Sequence, residues 1–209
     1  LYTWRRHFAA LIQRTNSEIS AEGPQRRDGH FPLKRSMGFI DIVGFTALAA
    51  RLSPQELTRL LHDFEDTARD VVTSRGGRIV KTIGDAVMYI ANDLSTAADV
   101  VTALMEEIQG GSHKLQLRAS LVSGEVVSLS GDVFGPTVNL ASRLVNLAPP
   151  GGIRMDGNTA ALIKTSKVAS KYVIHPCSKK EAKGLGEIIP WSLKRTEWVL
   201  AEKAGTEKK

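Results

Sequence analysis

Two long segments of helical period, each flanked by short apolar runs, constrain the fold of this chain more than any other feature. The first opens with "SPQE" at 53–56. Ser53 can cap it, Pro54 takes the first helical position, and Glu56 completes a capping box. Leu57, Leu60, Leu61, Phe64, Ala68 and Val71 then recur on one face until Gly76-Gly77 stops the helix near Ser74. The second covers 94–109, with Ala97, Val100, Val101, Leu104 and Ile108 on one face. Residues 37–43 read as a buried strand, "RIVKT" and "AVMYI" as a hairpin around "IGD", and "LQLRASLVSGEVVSL" as two strands broken at Gly124. The order β-α-β-β-α-β predicts an α+β domain of the ferredoxin-like kind, an antiparallel sheet with helices on one face. Beyond it, "TVNLASRLVNLA" predicts a third helix and "NTAALIKT" a fourth, while "WSLKR" and "EWVLA" read as edge strands.

Three regions divide the 209 residues. Residues 1–35 hold a short amphipathic helix over 2–15, marked by Trp4, Phe8 and Leu11, and a Gly/Pro-punctuated linker. Residues 36–202 form the main domain, and 203–209 are a basic tail. The net charge of +6 gathers at the two ends, as expected of solvated tails. No zinc-finger spacing or aromatic RNA-binding motif accompanies it, so nucleic acid is not an expected partner. No apolar run reaches the roughly 20 residues of a membrane span. There is no cleavable leader, and the lone Cys177 allows no internal disulfide; both point to a cytoplasmic domain. The start at Leu1 instead of Met suggests a fragment preceded by a regulatory region. No P-loop and no GxGxxG after a strand occur, and the five histidines show no metal-ligand spacing.

The chemistry sits in two carboxylates. Asp41 interrupts "GFIDIVGFT", where Phe39, Ile40, Ile42, Val43 and Phe45 surround it. An ionised carboxylate there loses hydration worth several kcal/mol unless something replaces it. Asp85 occupies the turn of "KTIGDAVMYI". In this fold the first strand and the hairpin are neighbours, so the two can converge at one end of the sheet. Together with a backbone carbonyl such as that of Ile42 they would make an oxygen cage for Mg²⁺ or Mn²⁺. Taken alone, Asp85 fits an ordinary Gly-Asp turn equally well.

"FIDIVGFT", "KTIGDAVM" and "GDVFGPTVNLASR" resemble the three signature blocks of the class III nucleotidyl cyclases, and the resemblance runs from about Met37 to Leu200. It implies two Mg²⁺ or Mn²⁺ ions on Asp41, Ile42 and Asp85, with ATP cyclised to 3′,5′-cyclic AMP and pyrophosphate. It assigns the backbone of Val43, Gly44, Phe45 and Thr46 to phosphate, and Lys183 in "AKGLG" to the terminal phosphates. Lys81 and Asp132 match the adenine-selecting pair: a Lys donor and an Asp acceptor complement adenine N1 and N6, whereas guanine presents the reverse pattern. Asn139 matches the residue that positions the ribose, and Arg143 the one that stabilises charge on the α-phosphate. These two are one helical turn apart. The resemblance further implies a two-fold homodimer, in which one chain's aspartates meet the partner's remaining four positions. The N-terminal helix would then relay a signal by changing how the chains meet. Phe134 stands where many members have Trp, and Ser120 where Gly is common. A guanylate cyclase, a silent nucleotide-binding regulatory domain and a basic surface binder are the competing readings.

Overall fold

The computed structural model describes residues 32–111 and 115–206 of the chain. The helix expected over 2–15, its linker and the last three residues lie outside it. The predicted core order is present: β1 (Leu33–Ile42), a short helix α1 (Phe45–Ala49), α2 (Pro54–Ser74), β2 (Arg78–Ile83), β3 (Ala86–Ala91), α3 (Leu94–Gly110) and β4 (Leu117–Leu129). Then come β5 (Asp132–Phe134), α4 (Pro136–Leu147), β6 (Ile153–Met155), α5 (Gly157–Lys164), β7 (Tyr172–Pro176), β8 (Lys180–Ala182), β9 (Gly186–Ile188), β10 (Trp191–Arg195) and α6 (Thr196–Thr206). Ser53 caps α2 and closes the capping box with Glu56, as its spacing requires.

The main sheet runs β2-β3-β1-β4-β6-β10-β7, with β5 paired to β4, while β8 and β9 form a separate hairpin. All pairings are antiparallel except β4 with β6. Three expectations change. "LQLRASLVSGEVVSL" makes one continuous strand, because Gly124 serves packing and not a break: a Cβ there would lie 2.6 Å from Thr137 Oγ1 at the start of α4. "WSLKR" is an interior strand, flanked by β6 and β7, and "EWVLA" lies in α6. A five-residue run of aromatic and aliphatic residues suits either state, and here Trp198 fixes the helix by packing on the core and donating its Nε1–H to Glu106 Oε1 at 2.6 Å.

The two helices of the predicted core, α2 and α3, share one face of the sheet as expected, and the additional helix α4 covers the other. Ile40 and Ile42 of β1, with Tyr89 of β3 and Leu121 of β4, pack against α2, α3 and α5. Met37 and Phe39, with Met88 and Val122, pack against Val138, Ala141, Leu144 and Val145 of α4 on the other side. Strand alternation then puts Asp41 at the end of the Met37–Phe39 row, on the α4 face.

A side-chain device locks β1 in place. The ladder to β4 runs through Met37↔Val122 and resumes at Ile40↔Ala119. Between them the Phe39 amide donates to Ser120 Oγ at 3.0 Å, and the Ser120 carbonyl accepts from Tyr89 Oη at 2.8 Å. Tyr89 reaches that carbonyl across Gly38, where an added Cβ would come within 1.8 Å of Ser120 O. Ser120 therefore takes over part of the ladder with its hydroxyl. Burial holds the Tyr89 phenol pKa well above its ordinary value, so it remains a donor.

Candidate active site

β1 delivers Asp41, and the two-residue turn between β2 and β3 delivers Asp85. Gly84 takes φ +63° in that turn, a left-handed conformation that suits glycine. The Ile42 amide donates to the Asp85 carbonyl at 3.2 Å, tying the turn to the end of β1. The two carboxyl groups meet there. Burial of the Asp85 carboxyl, reinforced by the charge of Asp41 beside it, pushes its pKa up to about 6.

Arg118 completes this cluster, and sequence reasoning missed it. It stands opposite Asp41 in the β1–β4 register. Its Nε and Nη2 lie 2.6 and 2.5 Å from Asp41 Oδ2. The Asp41 side chain is only 13% exposed, so the guanidinium replaces much of the hydration that the apolar strand removes. The signal was available in principle, since an arginine at the start of an otherwise apolar strand needs a partner as much as Asp41 does. Arg118 Nη2 also reaches Asn146 Oδ1 on α4 at 3.4 Å.

The second cluster lies along β2 and β5. Lys81 Nζ is 2.5 Å from Asp132 Oδ2 and 5.8 Å from the centre of the Phe134 ring. Asp132 uses its other oxygen to accept from the Val133 amide at 2.8 Å, which fixes its orientation. The third group is on α4, where Asn139, Arg143 and Asn146 follow one another at helical spacing away from the buried positions. Among the described residues neither the Asn139 amide side chain nor the Arg143 guanidinium has a partner.

The expected phosphate loop is partly committed. The Val43 amide donates to Gln116 O at 2.8 Å, so it is not available to phosphate. Gly44, at φ +71°, caps α1, and its carbonyl accepts from Ala47 and Leu48. The amides of Gly44, Phe45 and Thr46 have no backbone acceptor among the described residues, as at any helix start. Lys183 sits exposed in the turn of the β8–β9 hairpin, whose Ile188 packs against the α4 cluster.

The donor set suits a hard divalent cation. Asp41 and Asp85 offer oxygen only, and among the described residues no third acid, His or Cys joins them. Mg²⁺ is commonly held by one or two carboxylates plus substrate phosphates, which is what this pair leaves room for.

Fold and site together define a nucleotidyl cyclase catalytic domain of class III. Residues 34–195 match the family model of the adenylate and guanylate cyclase catalytic domain, and the chain belongs to that family. It is 34% identical over 220 residues to an adenylate cyclase of Streptomyces coelicolor, a match covering 94% of this chain and 56% of the relative. It is 32% identical over 205 residues to an adenylate cyclase of Glutamicibacter nicotianae, covering 94% and 50%. Among solved structures it resembles the catalytic core of a rhodopsin-guanylyl cyclase with converted specificity in complex with ATPalphaS. That likeness has a TM-score of 0.71 at 25% identity, over 78% of this chain and 97% of the other. The chain thus spans about half the length of these curated relatives. No helix among the described residues is long and apolar enough to cross a membrane.

Proposed function

We propose that the chain is the catalytic part of an adenylate cyclase, converting ATP to 3′,5′-cyclic AMP and pyrophosphate at composite sites of a homodimer. The observation that carries adenine over guanine is the Lys81–Asp132 pair, held at 2.5 Å between β2 and β5. Lys81 donates to adenine N1 and Asp132 accepts from the N6 amino group. Guanine would set its N1–H against Lys81 and its O6 against Asp132, leaving both part-buried side chains unpaired at a cost of about 1 kcal/mol each.

Asp41 and Asp85, with the Ile42 carbonyl, would hold two Mg²⁺ or Mn²⁺ ions. Bound there, such cations would acidify the ribose 3′-hydroxyl and neutralise charge on the pyrophosphate. The 3′-oxygen loses its proton to solvent and bonds to the α-phosphorus as the bond to the bridging oxygen breaks. Asn139 positions the ribose. Arg143 donates to the α-phosphate, where its fixed charge counters the charge that builds there. Gly44, Phe45 and Thr46 offer amides to the phosphates, and Lys183 meets the terminal ones. Arg118 holds the Asp41 carboxylate in place, where it would meet such a cation.

The Asn139 and Arg143 side chains, partnerless among the described residues, support a shared site, since their work requires a substrate that the partner's aspartates also hold. A two-fold dimer of identical chains gives two such sites. The test is cyclic nucleotide formation from ATP and from GTP, with Mg²⁺ or Mn²⁺, by wild type, Asp41→Ala, Asn139→Ala and an equal mixture of the two variants. Activity on ATP that is lost in each variant and partly returns on mixing is expected. Preference for GTP would replace the adenylate assignment with guanylate. A mixture that stays inactive beside an active wild type would refute the shared site. A wild type that binds ATP without cyclising it would make the domain a nucleotide-binding regulator.

A further inference from the structure

A cavity of about 310 Å³ opens at the end of the sheet away from the carboxylates. Arg35, which lines it, precedes Asp41 by six residues of one strand, about 20 Å at an ordinary strand rise. The cavity lies on the α4 face. Ile90, Val126 and Val133, all buried, give it an apolar floor. Arg35 and Arg78 enter from β1 and β2, and Ser128 and Asn92 add neutral polar groups.

Its charge is unbalanced. No lining residue is acidic, and among the described residues neither arginine has an ion pair. Each guanidinium spends one Nη1 on a backbone carbonyl, Arg35 on Lys34 O at 2.9 Å and Arg78 on Gly131 O at 3.1 Å. The remaining donors of both forks have no partner among the described residues. Two cationic forks lining one cavity with an apolar floor match an anionic group carried on an apolar body.

We propose that this cavity binds a small organic anion, a carboxylate or phosphate monoester with a flat apolar body, at a site separate from that of the nucleotide. The site has a direct connection to base recognition. Arg78 holds the Gly131 carbonyl, next in sequence to Asp132, and lies three residues before Lys81 on β2. An anion that draws Arg78 away releases Gly131 and alters how Asp132 is presented to Lys81.

The test is isothermal titration of the 209-residue protein with phenyl phosphate, benzoate and inorganic phosphate. Saturable binding of one molecule of phenyl phosphate or benzoate per chain is expected, and the tighter of the two identifies the head group. Inorganic phosphate, which covers none of the floor, should bind at least about tenfold more weakly. Arg35→Ala and Arg78→Ala should each weaken binding by about tenfold or more. Ser128→Glu keeps both arginines and adds a repelling carboxylate, so it should weaken binding similarly. This variant also covers the case in which an arginine variant fails to fold. Arg118→Ala and Arg143→Ala should bind as wild type does. Absence of saturable binding overturns the proposal, as does binding that survives Ser128→Glu. Binding lost with Arg143→Ala would put the probe in the nucleotide site and overturn it equally. Because the readout is binding, none of these results depends on the cyclase assignment.

Discussion

Asp85→Asn should stabilise the cation-free protein while removing its response to divalent cations. The Asp85 carboxyl has its pKa pushed from 3.8 to about 6, by burial first and then by Asp41. In the folded state it binds its proton more tightly than in the unfolded chain. Its protonated form thus contributes stability that is fully present below pH 3.8 and is lost as pH rises to about 6. Above that, folding confines a carboxylate against a neighbouring negative charge. Two pKa units would correspond to about 3 kcal/mol. The side chain is only half-buried, and solvent screening reduces this to about 1 kcal/mol. Asparagine keeps the shape without the charge. Urea unfolding in EDTA should therefore show the variant about 1 kcal/mol more stable at about pH 7.5 and no more stable at about pH 3.5. Adding Mg²⁺ or Mn²⁺ should stabilise wild type and leave the variant unchanged. A variant no more stable than wild type at the higher pH, or equally stabilised at both, would refute the reasoning. Cation-dependent stabilisation that persists in the variant would remove Asp85 from the metal site.

Four other outcomes follow from the geometry. Gly38→Ala places a Cβ within 1.8 Å of Ser120 O, in the centre of the sheet; a loss of about 3 kcal/mol or more is expected by chemical denaturation. Tyr89→Phe removes the 2.8 Å donor to that same carbonyl and should cost about 1–2 kcal/mol in the same assay. Ser53→Ala removes the hydroxyl that accepts from the Glu56 amide in the α2 capping box and leaves the backbone half, and a loss of about 1 kcal/mol should appear as a lower Tm. Exchanging the base pair, Lys81→Glu with Asp132→Cys, should raise the GTP-to-ATP ratio of kcat/KM by about a hundredfold, because the acceptor and donor then match guanine.

Much of the site is legible in the amino-acid sequence. Asp41 and Asp85 draw attention because a carboxylate among Phe39, Ile40 and Ile42 needs a partner, and the hairpin rule brings the two together. The capping box at Ser53 and Glu56 is a local arrangement and forms as its spacing requires. That Arg118 needs a partner is legible, but that the partner is Asp41 is not, because it depends on the β1–β4 register, which joins positions 77 apart. The expectation for Val43 fails for a related reason. Its amide is engaged by the carbonyl of Gln116, the residue just before β4, and no local pattern reports that.

The sequence by itself determined the helices with long periodic faces, the α2 capping box and the hairpin around Gly84-Asp85. Each of these depends on spacings of a few residues, where backbone geometry allows little choice. Only the tertiary structure decided that α4 lies on the opposite face from the other helices, that "EWVLA" coils where its composition also suits a strand, and that β4 runs unbroken past Gly124. It also brought Arg35 and Arg78 together over an apolar floor. These outcomes depend on which apolar face meets which, and on what a neighbouring strand offers each backbone group. Those quantities are set by contacts between distant parts of the chain.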